Sequence, residues 1–316
     1  MVTQPKTSKN ISVLKPIKFN KTYIRNNWQL YLMLILPLIY LAFFKYLPML
    51  GTVVAFKEYN IFKGMWESEW IGLAHFKEAF VSTEFWLAIK NTLILNLGDL
   101  LFGFPIPIIL AIFLSELNSD KIKKTTQVIM YLPHFLSWVI IAGIVQQTFS
   151  NTGLINQILN TFGLQPVPFL SNANNWRIVY WVTGIWQSAG YGLIIYLAAL
   201  TSIDPSLYEA SYIDGAGRFK RIWYVTLPQL RPTISMMLIM NLGKVMSISF
   251  DRPYLLGNVL VKDTANVIST HVYTLGLQTG RFDFATAIGL FQSAIGVILI
   301  LIVNQLAKKF GEEGIL

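Results

Sequence analysis

The 316-residue sequence contains no cysteine, which excludes disulfide cross-links, thiol nucleophiles and cysteine-held metal sites. It is also poor in charge, with 13% Asp, Glu, Lys and Arg, where soluble domains carry about a quarter. Its three histidines, His75, His134 and His271, are far apart and show no i, i+4 pairing, which argues against a histidine-held metal. No G-x-x-x-x-G-K-[ST] phosphate loop is present. The G-A-G at 215–217 runs on into R-F-K-R with no return to Gly-Lys-Ser. Nucleophile–base arrangements, internal repeats and low-complexity stretches are absent too, so the sequence carries no sign of catalysis by this chain.

What it does have is hydrophobic length. Residues of hydrophobic type make up 54% of the chain. Several stretches of about twenty residues are almost free of charge, enough to cross a hydrocarbon core about 30 Å thick. The expectation is an all-α integral membrane protein with six transmembrane helices, near 28–50, 88–114, 127–148, 177–200, 232–253 and 284–306. Trp28 and Tyr31 mark one interface of the first span and Tyr46 the other. Segment 1–27 could be the front of a signal peptide, but the apolar run that follows is too long and ends in no small-x-small cleavage site, so it is expected to be retained. Pro37, Pro105 and Pro107 read as kinks.

Orientation follows from the distribution of Lys and Arg. Six lie in the basic segment 1–27, three in loop 115–126, four in loop 201–231 and two in the tail, fifteen in all; the opposite loops hold seven, Arg252 among them. Both termini, 1–27 and 311–316, are therefore expected in the cytoplasm, around a membrane domain over 28–310 in the cytoplasmic (inner) membrane. The net charge of +9 belongs to this topology rather than to nucleic-acid binding. On the outer side, 70–86 and 153–163 show helical spacing suited to the interface, and 267–285 reads as a structured surface.

One cytoplasmic loop stands apart. Asp204 and Pro205 form an N-cap and first-turn pair, and Gly215 and Gly217 stop the helix that follows. Ser206 and Glu209 have capping-box spacing. About nine helical residues cannot cross a bilayer, so this helix is expected on the cytoplasmic face.

Polar residues inside the spans are costly and face a partner or a water-filled path. The candidates are Asn96 and Asp99 in span two; Trp186, Gln187 and Tyr191 in span four; Asn241 and Lys244 in span five; and Gln292 in span six. Asn241 and Lys244, three apart, share a helix face. Each candidate is either a contact for a passing solute or glue between helices. Lys244 in particular either pairs permanently with Asp99 or is neutralised by an anionic substrate.

The string Glu209, Ala210, Ser211, then Asp214, Gly215, Ala216 and Gly217, then Leu227–Pro228, resembles the EAA loop of binding-protein-dependent ABC importer permeases. Ser211 replaces the third residue of that signature. Residues 36–64 (LPLIYLAFFKYLPMLGTVVAFKEYNIFKG), 91–117, 127–138 (QVIMYLPHFLSW) and 285–296 resemble its sugar-importer branch, and within it permeases for oligosaccharides and uronides. The likeness covers roughly 28–310. It implies that loop 201–231 forms a coupling helix docked in a cleft of a separate ATPase. Residues 209–211 and 214–217 would make that contact, small side chains allowing close approach and Glu209 offering a carboxylate. It further implies a second related permease, two ATPase subunits that use ATP and Mg, an extracytoplasmic solute-binding protein, an oligosaccharide cargo with uronates among its sugars, and no cofactor on this chain. The competing expectation is a stand-alone secondary transporter or channel for a small polar solute, which would need no such loop and for which no inverted repeat is visible.

Overall fold

The computed structural model describes residues 25–309; most of the basic N-terminal segment and the tail 311–316 lie outside the described residues. The chain falls into two units, Met1–Thr52 and Val53–Leu316.

In the first unit, α1 (Trp28–Leu41) contains Pro37 and passes through a wide π-turn at Ala42–Tyr46 into Leu47–Met49. Pro37 has no N–H to donate, and such π-turns are one way a membrane helix re-satisfies the backbone groups that a proline frees.

The second unit opens with a two-stranded antiparallel hairpin, β1 (Lys57–Glu58) and β2 (Glu69–Trp70). The stretch 70–86 is not one helix. α2 (Ala74–Val81) stops at Ser82, whose hydroxyl accepts from Phe85 N and starts α3 (Thr83–Gly98). A π-turn at Asp99–Gly103 then leads into α4 (Pro105–Ser115), so the expected kink precedes its prolines.

The third span is broken. α5 (Asp120–Tyr131), α6 (Trp138–Phe149) and α7 (Leu154–Thr161) replace a straight 127–148, with a bend of 100° between the helical stretches Asp120–Phe135 and Trp138–Thr161. Two local features cause it: Pro133 cannot donate, and the Ser137 hydroxyl accepts from Ile140 N, capping a new helix. α8 (Ala173–Thr201), capped by Asn172, is the spine. Its Trp176 and Tyr180 lie in one buried cluster, and its Leu193, Tyr196 and Leu200 in a second. A third cluster joins Phe85 of α3 to Ile268, Phe284 and Ile288.

After the short helix α9 (Pro205–Ile213), helical structure resumes at Arg218–Arg221 and runs through a π-turn at Ile222–Thr226 into α10 (Leu227–Gly243). This span therefore begins and ends earlier than the expected 232–253. Beyond it lie an irregular stretch, 244–250, then α11 (Asp251–Leu256), α12 (Ile268–Tyr273) and α13 (Phe282–Lys309).

Side chains from the spans bind the backbone of the segment between α10 and α12. The Asn96 amide donates to Val245 O (2.6 Å) and the Gln292 amide to Met246 O (2.7 Å). Asn91 donates to Asp263 O and Asn266 O, and the Trp176 indole to Leu256 O. Irregular backbone is tolerated at membrane depth only when its polar groups are met in this way or face water. Farther along, Arg281 grips Glu78 of α2 in a bidentate pair (2.6 and 2.8 Å), and His75 reaches Asp283 at 3.3 Å. The Arg281 hydrogen bond holds the Glu78 carboxyl below its ordinary value.

Among the described residues, three helices are both long and apolar enough to cross a membrane: Trp28–Phe56, Thr83–Ser115 and Phe282–Lys309. The bent pair counted as one span makes a fourth. α8 and the helix Arg218–Gly243 run to similar lengths with more polar residues.

Candidate functional site

A cavity of about 600 Å³ lies among α3–α4, α8 and α10, within the range of about 300–1,000 Å³ that ligand pockets occupy. Of the eight intramembrane candidates, the fold brings five to it: Asn96, Asp99, Tyr191, Asn241 and Lys244. Trp186 is 45% exposed and does not line it. Gln187 approaches His134 O at 3.5 Å, and Gln292 is spent on Met246 O. Asn96 lines the cavity, but its amide is committed to Val245 O.

Asp99 does not pair with Lys244. Its carboxylate takes a bidentate grip from Arg252, with Nη1 to Oδ2 at 2.8 Å and Nη2 to Oδ1 at 3.0 Å. The guanidinium also donates to Tyr180 O and lies 3.6 Å from the centroid of the Tyr180 ring, with the Trp138 ring at 5.4 Å. Arg252 is only 9% exposed. It fits because position 184 is glycine: a Cβ there would sit 2.2 Å from Nη2. Charge counting by loop had assigned Arg252 to the outer surface. What places it inside is the early end of α10, which leaves the next segment free to turn back among the helices. The Phe-Asp-Arg-Pro run at 250–253, charge set among apolar residues, was the available signal.

Lys244 is likewise not mid-helix. It is the C-cap of α10, where the helix dipole favours a cation by about 0.3–1 kcal/mol, so the penalty for charge at a helix centre does not apply. It is exposed to the cavity, and its ammonium has no partner among the described residues. Asn241, one turn earlier, back-bonds to Met237 O (2.8 Å). Tyr191, half exposed, stacks on His134 with centroids 4.7 Å apart. The cavity thus offers an unmatched ammonium, an aromatic ring and amides, a set suited to an anionic polyhydroxylated ligand.

The loop helix α9 is built as its punctuation predicts, with one correction. Asp204 is the N-cap, its Oδ1 accepting from Ser206 N (2.9 Å). Ser206 and Glu209 form no capping box, because Ser206 is already inside the helix. The C-terminus is a Schellman turn: Ala216 N donates to Ser211 O, Gly215 N to Tyr212 O, and Gly215 adopts φ +72°. Glu209 is exposed, with no hydrogen bond or ion pair among the described residues. Ala210, Asp214 and Gly217 are exposed as well, and Ser211 and Ala216 half-buried. Tyr212 and Ile213, 73% and 84% exposed, extend the surface with apolar area. Arg218 is bound to Glu116 at the end of α4 (2.9 Å).

The family described as "Binding-protein-dependent transport system inner membrane component" matches residues 103–311. The chain belongs to that family. It is 42% identical over 302 residues to Protein LplB of Bacillus subtilis, covering 95% of each chain. It is 44% identical over 287 residues to the polygalacturonan/rhamnogalacturonan transport system permease protein YteP of the same organism, covering 90% of this chain and 89% of that one. Among solved structures it resembles a chain of a bacterial alginate ABC transporter in complex with an alginate pentasaccharide-bound periplasmic protein. The TM-score is 0.86 at 40% identity, over 93% of this chain and 99% of that one. The protein is accordingly a permease subunit of an ABC importer and not itself an enzyme. Its family membership sets aside the stand-alone transporter or channel.

Proposed function

We propose that the permease imports acidic, uronate-containing oligosaccharides. A solute-binding protein delivers them, a second related permease completes the pathway, and two ATPase subunits that use ATP and Mg drive it. The observation that carries the cargo is Lys244: because Arg252 engages Asp99, the Lys244 ammonium is left in the cavity without a partner among the described residues. Tyr191 supplies a ring for a sugar face and Asn241 an amide for hydroxyls, and transporters named for polygalacturonan and alginate are close relatives in sequence and fold. In this reading the chain crosses the membrane six times, with both termini and α9 in the cytoplasm. Glu209, Ala210, Ser211 and residues 214–217 form the contact with the ATPase.

The test is uptake by the reconstituted transporter of an oligogalacturonate against its neutral methyl ester, with the binding protein saturating. Lys244→Met should slow the acidic substrate about 10- to 100-fold, the worth of one charge-assisted hydrogen bond, and spare the ester. Unchanged transport of the acid by that variant would refute an acidic cargo read from Lys244.

A further inference from the structure

A second cavity, of about 620 Å³, lies at the end of the bundle where α4, α5, α8 and α9 meet. Its polar wall holds Glu116, Lys123 and Gln127, its apolar wall Ile194 and Leu197, and Tyr208 of α9 closes one side. The charges do not cancel within the cavity. Glu116 is already bound to Arg218 (2.9 Å), so Lys123 is the cation left over. Its Nζ makes one long bond, 3.4 Å to Ser115 O. Gln127, one turn on and on the same face of α5, is half-buried with no hydrogen-bond partner among the described residues. Both side chains line the cavity, so a ligand with acceptor oxygens gains charge-assisted and amide hydrogen bonds by meeting both.

The remaining surface says what kind of ligand. The α8 residues Ile194 and Leu197 line the same cavity, and farther along, Val128 and Ile129 of α5 and Leu132 just after it are 67%, 63% and 63% exposed. Lys121 and Lys124 flank the site on the same helix and are exposed. An anionic head on a basic rim, continuous with an apolar track, matches a lipid at the membrane surface.

We propose that this cavity binds an anionic phospholipid, with its phosphate on Lys123, its headgroup hydroxyls on the Gln127 amide and an acyl chain along Ile194 and Leu197. Tyr208 gives the site a consequence, which rests on reading α9 as the coupling helix. The Tyr208 hydroxyl meets Thr226 Oγ1 at 3.2 Å, in the π-turn that leads into α10. A lipid seated against Tyr208 therefore braces α9 from behind, and ATP hydrolysis becomes responsive to lipid charge.

The assembled transporter, purified through this chain and stripped of lipid, would be placed in phosphatidylcholine nanodiscs with and without phosphatidylglycerol. Retained lipid is read by native mass spectrometry, and substrate-stimulated ATPase in parallel. The wild type should retain phosphatidylglycerol over phosphatidylcholine by about tenfold, and Lys123→Gln with Gln127→Leu should bring the two to parity. Lys121→Gln with Lys124→Gln should leave the preference standing. Equal loss in both double variants would mean diffuse attraction to a basic surface and overturn the site. Glycerol 1-phosphate, which has the head and no chains, should not displace the lipid; if it does, the cavity is a soluble-anion site and the lipid assignment fails. A lipid preference without any ATPase response overturns the bracing role alone. Failure of the coupling reading itself shows separately, as stimulated hydrolysis that survives Glu209→Lys.

Discussion

Asp99→Asn should destabilise the permease strongly although it changes only one carboxylate to its amide. The substitution keeps the shape of the side chain and removes the charge that Arg252 meets at 2.8 and 3.0 Å. The guanidinium then stays behind, buried against the Tyr180 ring in the space that Gly184 leaves open. Breaking a buried ion pair from one side costs about 3–5 kcal/mol. Asp99 is itself 30% exposed, so water relieves part of this, and the lower end, about 3 kcal/mol, is expected. Replacing both partners, Asp99→Asn with Arg252→Met, leaves no orphaned charge and should recover most of the loss, since apolar substitutes for a buried pair are often neutral or better. Gly184→Ala attacks the same contact sterically and should resemble Asp99→Asn. Thermal unfolding of the detergent-purified protein reads the stability, and hydrogen exchange over 244–256 reads where the structure loosens. A single variant as stable as wild type, or a double variant no better than either single, would show that the pair does not hold the segment in place.

Three further outcomes are expected. Glu209→Lys should leave membrane insertion intact while abolishing uptake and loosening the ATPase; wild-type substrate-stimulated hydrolysis in the purified complex would refute the docking role. Because the chain has no cysteine of its own, single cysteines at 120 or 220 should resist an impermeant reagent in intact cells, and labelling there would invert the topology. The Glu78 carboxyl, held below its ordinary value of 4.5 chiefly by its hydrogen bond to Arg281, links local stability to pH. A depressed folded-state pKa stabilises above the ordinary value, and the gain is lost as pH falls through the depressed one. Protection of α2 against hydrogen exchange, taken relative to the intrinsic rate at each pH, should therefore fall below about pH 4.5, and Arg281→Gln should remove that acid-side step.

Local chemistry was legible in the sequence, and long-range pairing was not. α9 could be read closely because Asp204, Pro205 and Gly215 each fix the backbone within a residue or two of themselves. The apolar spans could be read because hydrophobic length is additive along the chain. Arg252 and Asp99 are 153 positions apart, and nothing in either neighbourhood announces the other. The same holds for Asn96 and Gln292, which were read as solute contacts or helix glue. Their targets are backbone carbonyls at 245 and 246, which carry no side-chain signature. The bend at 136–137 lies between: Pro133 and Ser137 stand in the sequence, but the apolar length of 127–148 reads as one span.

The guanidinium in the cavity wall bears on the membrane's energy supply. A pathway wide enough for a sugar must not pass protons while it waits, or each transporter would drain the gradient that the cell maintains. Proton wires need groups that both accept and release a proton. The guanidinium of Arg252 carries five N–H donors and no acceptor. By occupying both oxygens of Asp99, it also withholds the neighbouring carboxylate from such a relay. The contact that fixes the segment after α10 thereby also keeps Asp99 and Arg252 out of any such relay.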